Sequence, residues 1–189
     1  MSKIQVDTID TRSGTATMTI GSSNTSTIAL KSGATLTNFP ANTPAFDARA
    51  SANQTGLTSG GWTKVQFDTE LFDTDSAYDN VNDKFTVPAG KAGKYFFTTF
   101  AKINSNGGGA TLLGTGMRFT KNGSNIKESI HFIANGANSS EGKGVNCVLD
   151  LAASDYIEVY AYYQDNGGGT GSITGGSDFD TFFTGFKLA

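Results

Sequence analysis

Tyr78-Asp79-Asn80-Val81-Asn82-Asp83-Lys84-Phe85-Thr86-Val87-Pro88-Ala89-Gly90-Lys91-Ala92-Gly93-Lys94-Tyr95-Phe96-Phe97 is the stretch on which the reading of the fold turns. A polar run rich in Asn and Asp leads into a short strand over residues 85–88, which a proline closes. Glycines then punctuate the chain before a longer strand over residues 94–103. Side chains alternate across a strand, so Tyr95 and Phe97 share one face and Phe96 takes the other. No window of the chain repeats apolar residues at i, i+3, i+4 and i+7, the helical spacing.

The same alternation continues outward in both directions. Strands are expected over residues 63–72, 116–121, 126–134, 144–151, 156–163 and 181–188, giving about eight to ten strands from Pro44 onward. In the strand 156–163, Ile157, Val159 and Ala161 face one way, and Tyr156, Glu158, Tyr160 and Tyr162 the other. Aromatics on a second face predict that both faces are covered, one by the core and one by a neighbouring subunit. Asn122-Gly123 marks a tight turn between two strands, because this pair tolerates the positive φ such a turn requires. The glycine triplets 107–109 and 167–169 mark long loop tips. The pattern is that of an all-β sandwich or barrel.

Upstream, Phe39-Pro40-Ala41-Asn42-Thr43-Pro44 divides the chain into residues 1–43 and a head over 44–189. The first part repeats short Thr/Ser-rich alternating pieces, with Ala16, Met18 and Ile20 on one face of the first, and Ile28 and Leu30, then Leu36, in the next two. So few large apolar side chains cannot form a core alone. Three copies around an axis would supply one, so an intertwined β stalk is expected, with residues 1–9 as a particle anchor.

The quoted stretch resembles the central motif of the C1q family: an Asn-rich turn, Phe85-Thr86, Pro88, then Gly93-Lys94-Tyr95-Phe96-Phe97. Lys84 stands where that family most often has Gly, and two extra residues lie between Pro88 and Gly93. Phe182-Phe183-Thr184-Gly185-Phe186 is similar to the family's closing strand, and Pro44-Ala45-Phe46-Asp47-Ala48-Arg49 to its opening one. The resemblance covers residues 44–189 and implies a jelly-roll sandwich that assembles as a homotrimer and binds rather than catalyses. The opening Lys3-Ile4-Gln5-Val6-Asp7-Thr8-Ile9 and the Thr/Ser/Gly pieces after it are similar to fibre-like virion proteins of marine bacteriophages.

Composition narrows the function classes. The net charge is −3 and the lysines are scattered, which excludes the basic footprint of a nucleic-acid binder. There is no apolar run of spanning length and no h-region near the N-terminus, so neither membrane insertion nor secretory export is expected. The single cysteine, Cys147, lies in an apolar run and reads as a small buried hydrophobe. The single histidine, His131, lies in a strand pattern with Ser129 and Ile133, and no nucleophile elbow accompanies it. One His and one Cys are too few for the usual zinc sites, and no phosphate-binding glycine loop is complete.

No catalytic residue and no cofactor is therefore expected. Calcium is the one exception left open, through Asp73, Asp75, Asp79 and Asp83, although turn formation accounts equally for aspartates there. Asp178 and Asp180 form a further acidic pair. Trp62 reads either as packing in the core or at a subunit interface, or as a recognition aromatic. Asn106 and Asn166, beside the glycine triplets, are the loop candidates for ligand contact. The expected protein is a homotrimeric, non-enzymatic virion fibre that meets other virion proteins through its N-terminus and a host-surface glycan or protein through its head. A capsid decoration protein, a bacterial surface protein and a polysaccharide-degrading enzyme are the alternatives.

Overall fold

The computed structural model describes residues 42–106, 109–134, 138–176 and 181–188. The stalk residues Ala16, Met18, Ile20, Ile28, Leu30 and Leu36 lie outside this range, as do Asp178 and Asp180. The described part contains strands and no helix. In chain order the strands are β1 (Ala45–Arg49), β2 (Gln54–Thr58), β3 (Gly61–Lys64), β4 (Thr69–Asp73), β5 (Tyr78–Asp79), β6 (Lys84–Thr86) and β7 (Gly93–Ser105). They continue with β8 (Leu112–Lys121), β9 (Ser124–Phe132), β10 (Ser140–Leu151), β11 (Tyr156–Asp165), β12 (Thr170–Ile173) and β13 (Phe182–Lys187).

Two antiparallel sheets form a jelly-roll sandwich. The first is organised on β7, the long strand that the opening stretch of sequence predicts. One edge of β7 holds β10 along its whole length. The other edge is shared, by β13 over Tyr95–Phe100 and by β12 over Ile103–Ser105. From β13 the sheet continues through β1 to β4, and from β12 to β2. The second sheet is organised on β11, which holds β8 and then β9 on one side, and β6 and β3 on the other.

Aromatic side chains fill the space between the sheets. Tyr95, Phe97, Phe46 and Phe183 come down from the first sheet, and Phe85 and Phe119 rise from the second; all are fully buried. Phe46 stacks on Phe85 at 5.1 Å and meets Phe183 edge-on at 4.8 Å, arrangements that aromatic quadrupoles favour. On β11 the inward row is Ile157, Val159, Ala161 and Tyr163, as the alternation predicts. The turn at Asn122 and Gly123 has φ of 51° and 80°, as its sequence requires.

The single strand expected over residues 63–72 is instead two strands in different sheets. β3 pairs with β11, and β4 pairs with β1. Between them, Val65 and Phe67 remain fully buried while the chain crosses from one sheet to the other. The inward alternation thus continues through the crossing, and periodicity alone cannot reveal that the pairing partner has changed. β2, β5 and β12 are short and mostly polar, and no strand is expected there from sequence.

Candidate functional site

The first sheet turns an apolar face away from the core. Phe96 on β7 lies beside Phe186 on β13, with ring centroids 5.6 Å apart, and Val148 on β10 is the next residue in that row. Two steps along the same face, past Thr98 and Thr184, Phe100 stacks with Phe182 at 6.3 Å, and the Arg49 guanidinium covers Phe182 at 5.8 Å. Arg49 is held by Asp47 at 3.0 Å. Phe72, opposite Asp47 on the edge strand β4, is 49 % exposed, and Val148 is 57 % exposed. Phe72, Val148 and Phe186 are thus exposed in the single chain, with the half-buried rings of Phe96, Phe100 and Phe182 on the same face. Exposed apolar patches of this kind mark interaction surfaces.

The outer face of the second sheet is built differently. Trp62 lies within β3 and is half-buried, so it is part neither of the core nor of a loop. Its neighbour across the strand pair is Tyr162, at 5.4 Å between ring centroids. The Arg118 guanidinium lies 4.3 Å from the centre of the Trp62 ring and 5.2 Å from that of Tyr160. Phe132 meets Tyr162 edge-on at 6.2 Å and is 65 % exposed.

Between the sheets' open edges, Glu141 accepts a hydrogen bond from Thr115 Oγ1 at 2.7 Å and pairs with His131 Nδ1 at 2.7 Å. Burial opposes ionisation of Glu141, but the hydrogen bonds from Thr115 and His131 outweigh it and hold the carboxyl below its ordinary range. The threonine hydroxyl points to the carboxylate and not to the imidazole, so the three groups do not form a nucleophile–base–acid relay. Cys147 is half-buried against the core, and burial pushes its thiol up to about 11. A protonated thiol is a poor nucleophile.

Of the four aspartates considered for calcium, three serve the backbone and Asp75 pairs with side chains. Asp73 accepts the amides of Asp75 and Tyr78, and Asp83 accepts that of Phe67 at 2.7 Å. Asp79 binds the amides of Val81 and Asn82, and the side chain of Asn82 lowers its pKa further. Asp75 pairs with Lys91 at 3.2 Å. Among the described residues, no three potential metal ligands converge.

Asn106 and Asn166 sit at one end of the sandwich and bind loops together. Asn166 Oδ1 accepts the Thr111 amide at 2.9 Å, and Asn106 Oδ1 accepts the Ser172 hydroxyl at 3.1 Å. Beside them is Asp165, a buried carboxylate that sequence reasoning passed over because it ends a strand like many others. Burial raises its pKa, but hydrogen bonds from Tyr163, Ser59, Gly169 and Ser105 prevail and lower it.

A C1q domain model matches residues 45–188. The chain belongs to the C1q family. Among solved structures, the globular domain of zebrafish complement 1qA superposes with a TM-score of 0.53 at 15% identity, covering 77% of this chain and 98% of that one. Murine APRIL at pH 5.0 superposes with a TM-score of 0.54 at 13% identity, covering 76% and 98%. At these identities the structural likeness speaks for the fold. No curated protein matches the chain. Domains of this fold are commonly homotrimeric and normally non-enzymatic.

Proposed function

We propose that this chain is a homotrimeric, non-enzymatic structural and binding protein: a phage virion fibre whose C1q head is carried on a β stalk formed by residues 1–43. The exposed apolar face of the first sheet carries the trimer reading. Phe186, Val148 and Phe72 would otherwise stand in water beside the half-buried Phe96 and Phe182, and a symmetric assembly covers the same patch on every copy. The stalk and the virion setting are supported by the alternating apolar residues of the N-terminal pieces and by the resemblance of residues 3–9 to marine phage fibres. Three heads on one stalk multiply weak contacts with a host surface.

Two measurements test this. Light scattering of the full chain is expected to return three times its 19.7 kDa, and a stable monomer at micromolar concentration refutes the assembly. Cryo-electron microscopy of particles carrying the protein is expected to show threefold density with a stalk and a compact head. Its absence from particles refutes the virion role.

A further inference from the structure

We propose that Arg118 and the rings around it form a binding site for a carboxylated sugar, a uronic acid unit of a glycan, on the outer face of the second sheet. The site lies within one protomer and supplies a ligand class for the host-surface binding proposed above, on which its biological meaning rests.

The site centres on Arg118, whose Nε is shielded from solvent and lacks a hydrogen-bond partner. Arg118 is half-buried in the middle strand of β9–β8–β11. Its described contacts are the Trp62 and Tyr160 rings, at 4.3 and 5.2 Å. Among the described residues no carboxylate pairs with it. Glu158, the closest acid on β11, is taken by Lys64 at 2.6 Å. Glu128 is its cross-strand neighbour on β9, yet the two form no ion pair. A buried polar group without a partner is uncommon in native proteins and asks for an explanation. Cation–π contacts orient a guanidinium without consuming its N–H donors. The result is a planar guanidinium held in place by two rings, with no carboxylate of the described residues paired to it.

The surface beside it explains why the oxyanion belongs on a sugar. On β8 the next two outward positions on the N-terminal side of Arg118 are Gly116 and Gly114, with Thr120 on its other side. Their lack of side chains lets Tyr162, Ile130 and Phe132 lie down on the sheet, and a methyl group at either position would press against them. A low apron of ring faces and edges therefore runs from Trp62 through Tyr162 to Phe132. The Tyr162 hydroxyl bonds to Gln164 at 2.9 Å, which places an amide at its border. An apolar platform with a few fixed polar groups at its edge suits a ligand that is flat, partly apolar and polar at its rim. A pyranose carrying a carboxylate meets both requirements: its C–H face lies on Tyr162 and Phe132 while the carboxylate takes the guanidinium in a bidentate pair.

Trp62 is the only tryptophan, so its fluorescence reports on this site alone. The full chain is titrated with a galacturonate oligomer and with the galactose oligomer of the same length. A saturable change in Trp62 emission with the acid, weakening as salt is raised and absent with the neutral sugar, is expected. Arg118→Lys keeps the charge but loses the planar fork, and is expected to weaken binding at least about tenfold; Arg118→Met is expected to abolish it. Circular dichroism establishes that each variant is folded, and if Arg118→Met disrupts the sheet, the lysine variant carries the test. No emission change at millimolar galacturonate, or an equal response to galactose, overturns the proposal. Adsorption of labelled protein to host cells separates the two readings. If galacturonate fails to bind yet the wild type adsorbs, this site is wrong and the host-binding reading stands. If neither adsorbs although galacturonate binds, the site stands and that reading fails.

Discussion

Gly185 shows how a single residue joins strand pairing to the core. It pairs with Phe97 on β7 and with Phe46 on β1, and both of those rings swing across the space its side chain would fill. An added Cβ would overlap the Phe97 ring and press on that of Phe46. Gly185→Ala is therefore expected to destabilise the domain by about 1–3 kcal/mol, the usual cost of overfilling a packed core. The check is the urea midpoint, and an unchanged midpoint would mean that the rings move aside freely. In the sequence Gly185 stands among aromatics, and adjacency alone would name Phe183 and Phe186 as its neighbours. The true ones come from two other strands, and only the sheet registers reveal them. The aspartates teach a related lesson. Their grouping is visible in the sequence, whereas the backbone amides that absorb them are not, because an amide's availability depends on the turn around it.

At the scale of elements, the hairpin of Asn122-Gly123 and the turn before β11 are tied by one carboxylate. Asp155 accepts Lys121 at 2.7 Å, the Asn122 side chain at 2.7 Å and the Ala152 amide at 2.8 Å. These contacts, led by Lys121, lower its pKa from 3.8 to about 2. A carboxyl whose pKa is depressed in the folded state stabilises the fold while ionised. Its contribution is complete above about 4, where it is ionised in both states, and fades as pH falls through about 2. Stability against urea is thus expected to decline across this window, and Asp155→Asn is expected to flatten that part of the profile. Equal slopes for both proteins would remove Asp155 as the cause. Elements that bury an alternating apolar face, such as β7 and β11, are legible in the sequence. Those whose existence depends on a partner's edge are not: β2 and β12 pair with each other and bring only Leu57 and Ile173 to the hydrophobic core, too little to show as alternation, and β3 and β4 divide what reads as one run. Trp62 and Arg118 are each visible in the sequence, yet they meet only because β3 and β8 flank the same strand, β11.

For the whole molecule, the decisive quantity is the apolar area left uncovered on the first sheet. A standard interface hides roughly 800 Å² on each partner, and the row from Val148 through Phe96 to Phe186, with Phe100 and Phe182 beyond the intervening Thr98 and Thr184 and Phe72 on the edge strand, supplies apolar surface for that purpose. None of these side chains points into the core, so a charge introduced there attacks assembly and spares the sandwich. Phe186→Asp is expected to shift the particle in light scattering from a trimer to a 19.7 kDa monomer while leaving the far-ultraviolet circular dichroism of the β fold unchanged. Assembly stabilises by mass action, so the wild-type Tm should rise with protein concentration. The variant's Tm should be lower and independent of concentration. A variant that remains trimeric would place the interface elsewhere and leave this face for another partner. A variant that loses its β signal would mean that Phe186 supports the fold itself, and Val148→Asp, on the opposite edge of the same row, would then test the assembly without touching β13.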